Sequence, residues 1–220
     1  MLNNIARSDS PMQRNFSRNL PLWLKLSYTG FVLLLVPVYW VELGATNFLW
    51  GSDIALLVMV FGLWWESRFL VSMMAVGVLL PELAWNLDYL THLIAGRDVF
   101  GINATSYMFS SDKSLLVRWL SLFHIMLPVI LIYSLIRLGY DTRALLAQVV
   151  LCWLVLPTTY LFTDPTKNIN WVFGITEVPQ NWMPEVVYLL LLMLLFPLLI
   201  FLPTHLLLNT IFNSPYDFKK

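Results

Sequence analysis

Residues 185–204 read EVVYLLLLMLLFPLLIFLPT, and the segment stays largely apolar to about residue 212. A run of this length exceeds the roughly 20 residues a helix needs to cross a bilayer. Working outward from it, five more apolar segments emerge, at about 24–43, 53–68, 69–94, 115–137 and 144–163. The expected fold is all-α: a polytopic membrane protein with about six transmembrane helices in one bundle. The second segment is short. Arg68 divides it from the third, so a tight turn or a helical hairpin is expected there.

Composition points the same way. Of 220 residues, 59% are hydrophobic and 12% charged, against roughly a quarter charged in an ordinary soluble domain. Mean hydropathy is +0.72. A soluble fold has too little interior to hide that much apolar surface, and no segment is large enough to act as a soluble domain. The zero net charge argues against a nucleic-acid partner. The one cysteine, Cys152, excludes an intramolecular disulfide and a multi-cysteine metal site. No cofactor motif is visible.

Residues 1–25 are polar and basic and do not read as a cleaved signal peptide. The expected organisation is a cytoplasmic segment 1–25, a six-helix domain 26–212 and a cytoplasmic tail 213–220. Lysine and arginine set the orientation. Arg7, Arg14, Arg18, Lys25, Arg68, Arg137, Arg143, Lys219 and Lys220 fall on one side, and Arg97, Lys113, Arg118 and Lys167 on the other. Both termini are therefore expected in the cytoplasm, most simply of a bacterial cell with this chain in its inner membrane. The long loops 95–114 and 164–184 then face outward. Pro37, Pro81, Pro128, Pro157, Pro197 and Pro203 interrupt the spans, and each frees a carbonyl that a neighbour can satisfy. Simple kinking is the plain alternative.

Polar groups inside spans are costly, so each is a candidate for function. The third span carries most. On a helix, Glu82, Asn86 and Tyr89 share one stripe, and Trp85, Asp88 and His92 the next. This face either holds helices together or binds a ligand. His124 lies roughly 14 Å into the fourth span if that span begins near residue 115, with Arg118 nearer the outer interface. Ser52 and Asp53 open the second span. Ser52 suits an N-cap and Asp53 the positive end of the helix dipole. A serine there is also a candidate nucleophile if a histidine approaches. Asp164, Asn168, Asn170 and Trp171 lie in the last outer loop, where asparagine suits turns and could instead hold a head group. Asn103-Ala104-Thr105 fits the glycosylation pattern. A three-histidine zinc site is not expected, because His205 falls on the opposite side from His92 and His124. A set of Asp88, His92 and His124 stays open.

Three short segments carry a resemblance. They are Gly51-Ser52-Asp53-Ile54-Ala55-Leu56-Leu57, the fourth span with Arg118 and His124, and Asn168-Ile169-Asn170-Trp171-Val172-Phe173 followed by Trp182-Met183-Pro184 and Tyr188. Their order over about residues 45–205 resembles the YwaF-like family of bacterial membrane proteins. Its eukaryotic relative is a transmembrane acyltransferase that remodels ether phospholipids. The resemblance implies acyl-transfer roles for Ser52 and His124. This chain departs from the pattern by carrying serine where the family has cysteine. A similar group of six-span hydrolases uses threonine and histidine, so a hydroxyl nucleophile is compatible with such a site.

The functional expectation is a membrane-embedded lipid acyl hydrolase or acyltransferase, with Ser52, His124 and Asp53 as the catalytic candidates. Glu82, Asn86, Asp88, His92, Arg118, Asn168, Asn170 and Trp171 are the substrate-binding candidates. No metal is assigned. Membrane lipids are the expected partners, with a homo-oligomer or a membrane-protein partner left open. The alternatives are a non-enzymatic transporter or binder of a small or lipid-like molecule, and a membrane assembly subunit.

Overall fold

The computed structural model describes residues 19–97, 99, 104–176 and 178–213. The basic stretch 1–18, the tail 214–220 and Asn103 of the glycosylation pattern lie outside them. Among the described residues the fold is helical with no strands. In chain order the helices are α1 (Leu22–Glu42), α2 (Gly51–Trp64), α3 (Arg68–Ala95), α4 (Leu115–Leu120), α5 (Phe123–Leu138), α6 (Ala144–Phe162), α7 (Glu185–Phe196) and α8 (Leu202–Asn213).

Among the described residues five helical segments are long and apolar enough to cross a membrane: α1, α3, α4 with α5, α6, and α7 with α8. These are the marks of a multi-pass integral membrane protein. The sixth expected span is α2, only 14 residues long, or about 21 Å at 1.5 Å per residue. It ends at the tight turn that Arg68 suggested. Ser67 caps α3 by accepting the Leu70 N–H at 3.3 Å.

The distribution of side chains suits an apolar solvent. Leu33, Val41, Ile94, Leu146 and Phe162 are exposed, while Asp53, Ser72, Glu82, Asp88 and Gln148 are buried. α3 is the central element and packs against α2, α5 and α6. Its Ser72 and Glu82 are therefore enclosed by neighbours rather than lipid.

Charge separates to the two ends. At one end Lys25 pairs with Glu66 at 2.7 Å, Arg143 and Arg68 meet Asp141, and Arg137 donates to the Asn19 carbonyl. At the other, Lys167 donates to the Leu43 carbonyl at the end of α1.

Two prolines show where freed carbonyls go. A proline cannot donate to the carbonyl four residues back. Pro128 so frees the His124 carbonyl, and Asn86 Nδ2 donates to it at 2.7 Å. Pro197 frees the Met193 carbonyl, and Trp153 Nε1 donates to it at 2.9 Å. Pro197 also opens a π-turn, Pro197–Phe201, which divides the last span into α7 and α8. The fourth span is likewise divided, by a turn at Ser121 and Leu122 immediately before His124.

Candidate functional site

The first turn of α2 is the starting point. Trp50, not Ser52, occupies its N-cap, and no side chain of its own caps the helix. The help comes from the loop between α6 and α7. Asn170 Oδ1 accepts the Gly51 N–H at 3.1 Å, and its Nδ2 donates to the Leu49 carbonyl and to Thr159 Oγ1. The first intrahelical bond runs from Ile54 N–H to the Trp50 carbonyl. The N–H groups of Ser52 and Asp53 are left without an acceptor among the described residues, at the positive end of the helix.

Asn168 and Asn170 take left-handed backbone angles, with φ of 39° and 54°, which asparagine tolerates better than most residues. Asn168 donates to the Gly174 and Thr176 carbonyls and accepts the Phe173 N–H. Trp171 meets Trp50 edge-on at 5.7 Å. Asp164 holds its own turn through Thr166. The polar atoms of both asparagines are thus committed to backbone groups and, for Asn170, to Thr159 Oγ1 as well. They brace the site rather than offering free groups to a head group.

His124 stands at the start of α5. Its Nδ1 lies 2.8 Å from Glu82 Oε2, and Glu82 is 2% exposed. A carboxylate at Nδ1 holds the ring proton there and leaves Nε2 as the acceptor. The ring stacks on Trp85 at 4.5 Å and on Phe123 at 4.1 Å. Asn86 bridges the Glu82 and His124 carbonyls, tying α3 to α5 beneath the pair. Asp53 is also buried. Asn47 Nδ2 donates to its Oδ2 at 3.1 Å, and its Oδ1 has no partner. Asp53 shares a cavity wall with His124 and Glu82.

These groups share one cavity of about 960 Å³. Ser52, Asp53, Glu82, Trp85, Tyr107 and His124 form its polar part, with Lys113, Lys167 and Glu42 also on its wall. Met74, Val78, Leu151, Leu156, Leu199 and Ile200 form its apolar part. Ser52 Oγ makes no hydrogen bond to His124 among the described residues. The two line the same space without touching through one.

Of the expected residues, Ser52, Asp53, Glu82, His124, Asn168, Asn170 and Trp171 meet at this cavity. Asp88, His92 and Arg118 do not. Asp88 accepts the Val99 N–H and the Thr105 hydroxyl, fixing the loop after α3. His92 stacks on Phe109, and Arg118 reaches the Met108 carbonyl at 3.4 Å. The open set of Asp88, His92 and His124 is dispersed among these separate partners. No group of three or more histidine, cysteine, aspartate or glutamate side chains at metal-holding distances occurs among the described residues. Asn86 acts on backbone, not on the cavity. Lys113, Lys167, Tyr107 and Gln148 were not singled out from sequence. The lysines were legible as two of the four cations that the sequence sets apart from the other nine, and Gln148 as a lone amide in an apolar helix.

Comparison of the chain with protein-family models, curated proteins and solved structures finds no match.

Proposed function

We propose that this chain is a six-span inner-membrane protein with both termini cytoplasmic, and that it hydrolyses or transfers lipid acyl groups at a Ser52/His124 site facing the outer leaflet. The observation that carries the reading is the Glu82–His124 pair on the wall of a cavity that also holds Ser52. A buried carboxylate at Nδ1 is the arrangement that turns an imidazole into an oriented general base. Supporting it, the cavity joins a polar part to an apolar part, as an ester with an attached chain requires. The resemblance to the YwaF-like family points the same way.

In this mechanism Ser52 Oγ attacks the ester carbonyl while its proton passes to His124 Nε2. Glu82 and Asp53 stabilise the imidazolium. The new oxyanion faces the Ser52 and Asp53 N–H groups at the α2 terminus. The ester C–O bond then breaks, and His124 returns the proton to the departing alcohol oxygen. Water, or the hydroxyl of a second lipid, repeats the sequence on the acyl-Ser52 ester and restores the serine. The substrate ester must seat between Ser52 and His124, bridging two groups that do not otherwise bond.

A fluorophosphonate probe tests the nucleophile directly. The account expects covalent labelling of the detergent-purified protein at Ser52, lost in Ser52→Ala and strongly slowed in His124→Ala. Labelling unchanged in Ser52→Ala would overturn it.

A second reading, a non-enzymatic transporter or binder, is favoured by the unpartnered Asp53 Oδ1 on the same cavity wall as Glu82. Two buried acids around one histidine also suit a ligand carrying a proton or cation. Under that reading Glu82→Gln abolishes binding, and Ser52→Ala is silent.

A further inference from the structure

The cavity meets the protein surface in two chemically different places. Toward the loops its wall includes Glu42, Lys113 and Lys167, all exposed. Deeper in the bundle it includes Leu199, which is 64% exposed, with Leu80, Ala84, Phe196 and Ile200 half-buried. A side chain that lines a cavity and is also exposed stands at an opening. The first opening is charged. The rim of the second is hydrocarbon.

The break in the last span accounts for the second opening. α7 packs on α6, and Trp153 of α6 holds the Met193 carbonyl. α3 packs instead on the π-turn Pro197–Phe201 and on α8. The last span therefore changes its main neighbour at Pro197. The change leaves a seam between Leu80 and Ala84, one turn apart on the same face of α3, and Phe196 and Leu199.

The seam lies at the depth of acyl chains. Ala84 is eleven residues from Ala95 at the end of α3, or about 16 Å. Leu199 is fourteen residues from Glu185 at the start of α7, or about 21 Å. In a hydrocarbon layer about 30 Å thick, both stand near the middle.

We propose that this seam is a side portal through which the acyl chain of a bilayer lipid enters the cavity, while water and small polar molecules use the charged opening. An acyl chain passing an apolar rim loses no hydration, whereas a polar or charged group would lose its hydrogen bonds with nothing in return. The portal so selects esters that reside in the membrane over esters dissolved in water. The inference rests on the lipid reading of the cavity.

The test uses the full-length protein in liposomes containing a phosphatidylcholine with a photoactivatable diazirine at the end of one acyl chain. Val78 and Leu156 are the reporters, because both line the cavity and both are buried, so bulk lipid does not reach them. Mass spectrometry after illumination should find the lipid on both in the wild type. Ala84→Trp and Leu199→Trp fill the seam from opposite sides, and each should abolish that labelling. A small water-soluble fluorophosphonate should still label Ser52 in both variants, which shows that the cavity and its charged opening persist. Either variant suffices if the other does not fold. An unlabelled Val78 and Leu156 in the wild type overturns the portal, as does labelling that survives both variants. Loss of the two labels together in both variants also overturns it. Lipid labelling that depends on the seam, in a protein whose Ser52 never reacts with the fluorophosphonate, leaves the portal standing and removes the acyl-transfer reading.

Discussion

Glu82 Oε2 and His124 Nδ1 stand 2.8 Å apart, joining the centre of α3 to the start of α5 inside an otherwise apolar bundle. The pair fixes which imidazole nitrogen is free and where it points. Glu82→Gln keeps the size of the side chain but removes the charge that stabilises an imidazolium. Lipid turnover is expected to fall by about 10²–10⁴-fold in kcat, with KM little changed. Steady-state kinetics on the two proteins check this.

Asn86 and Pro128 should be coupled. Asn86 supplies the donor that Pro128 withholds from the His124 carbonyl. Asn86→Leu leaves that carbonyl buried and unpaired, at a cost of about 1–3 kcal/mol. Pro128→Ala restores an N–H that can reach it. The double variant should therefore be less destabilised than the sum of the two single ones, as a double-mutant cycle of thermal unfolding in detergent would report.

Asn170 braces the α2 terminus through Gly51, Leu49 and Thr159. Asn170→Ala should cost about 1–2 kcal/mol, as loss of a helix cap does. It should also lower turnover, because the Ser52 and Asp53 N–H groups lose their fixed direction. Asn170→Asp keeps the acceptor for Gly51 and should recover part of both. Thermal unfolding and turnover, measured on the same preparations, separate the two effects.

The bundle's far end predicts an acid response. Burial raises the Glu66 carboxyl, but hydrogen bonds from Lys25 and the Leu20 N–H outweigh it and hold it below the usual range. A carboxyl lowered in the folded state adds stability above its unfolded value, near 4.3 for glutamate, and that stability is lost as pH falls through the folded value. Glu66→Gln should therefore lower thermal stability at neutral pH, and the gap to wild type should narrow steadily as pH falls below about 4. Melting curves across that window check the sign.

Much of the scaffold was legible because hydropathy over long windows reports directly on the solvent a helix faces. The turn at Arg68, the long loops after α3 and α6 and the asparagine turns at 168 and 170 follow from local chemistry. The breaks before His124 and at Pro197–Phe201 were not legible in position, since each depends on what a neighbouring helix offers to a freed carbonyl. The polar face of α3 was visible, but its division of labour was not. Glu82 meets a histidine 42 positions away, while Asp88, one and a half turns on, is captured by the loop at Val99 and Thr105. From sequence Asp53 was the catalytic carboxylate and Glu82 a substrate-binding candidate, yet Glu82 is the acid bonded to His124. Ser52 suited an N-cap by residue type, yet the chain enters α2 two residues earlier, with Trp50 at the cap.

The most direct test follows lipid species by mass spectrometry while purified protein acts on a mixed bacterial lipid extract. Wild type should consume an acyl lipid and release or transfer its chain, with the activity gone in both Ser52→Ala and His124→Ala. Turnover that persists in Ser52→Ala, or folded wild type that turns over nothing, would contradict the acyl-transfer account.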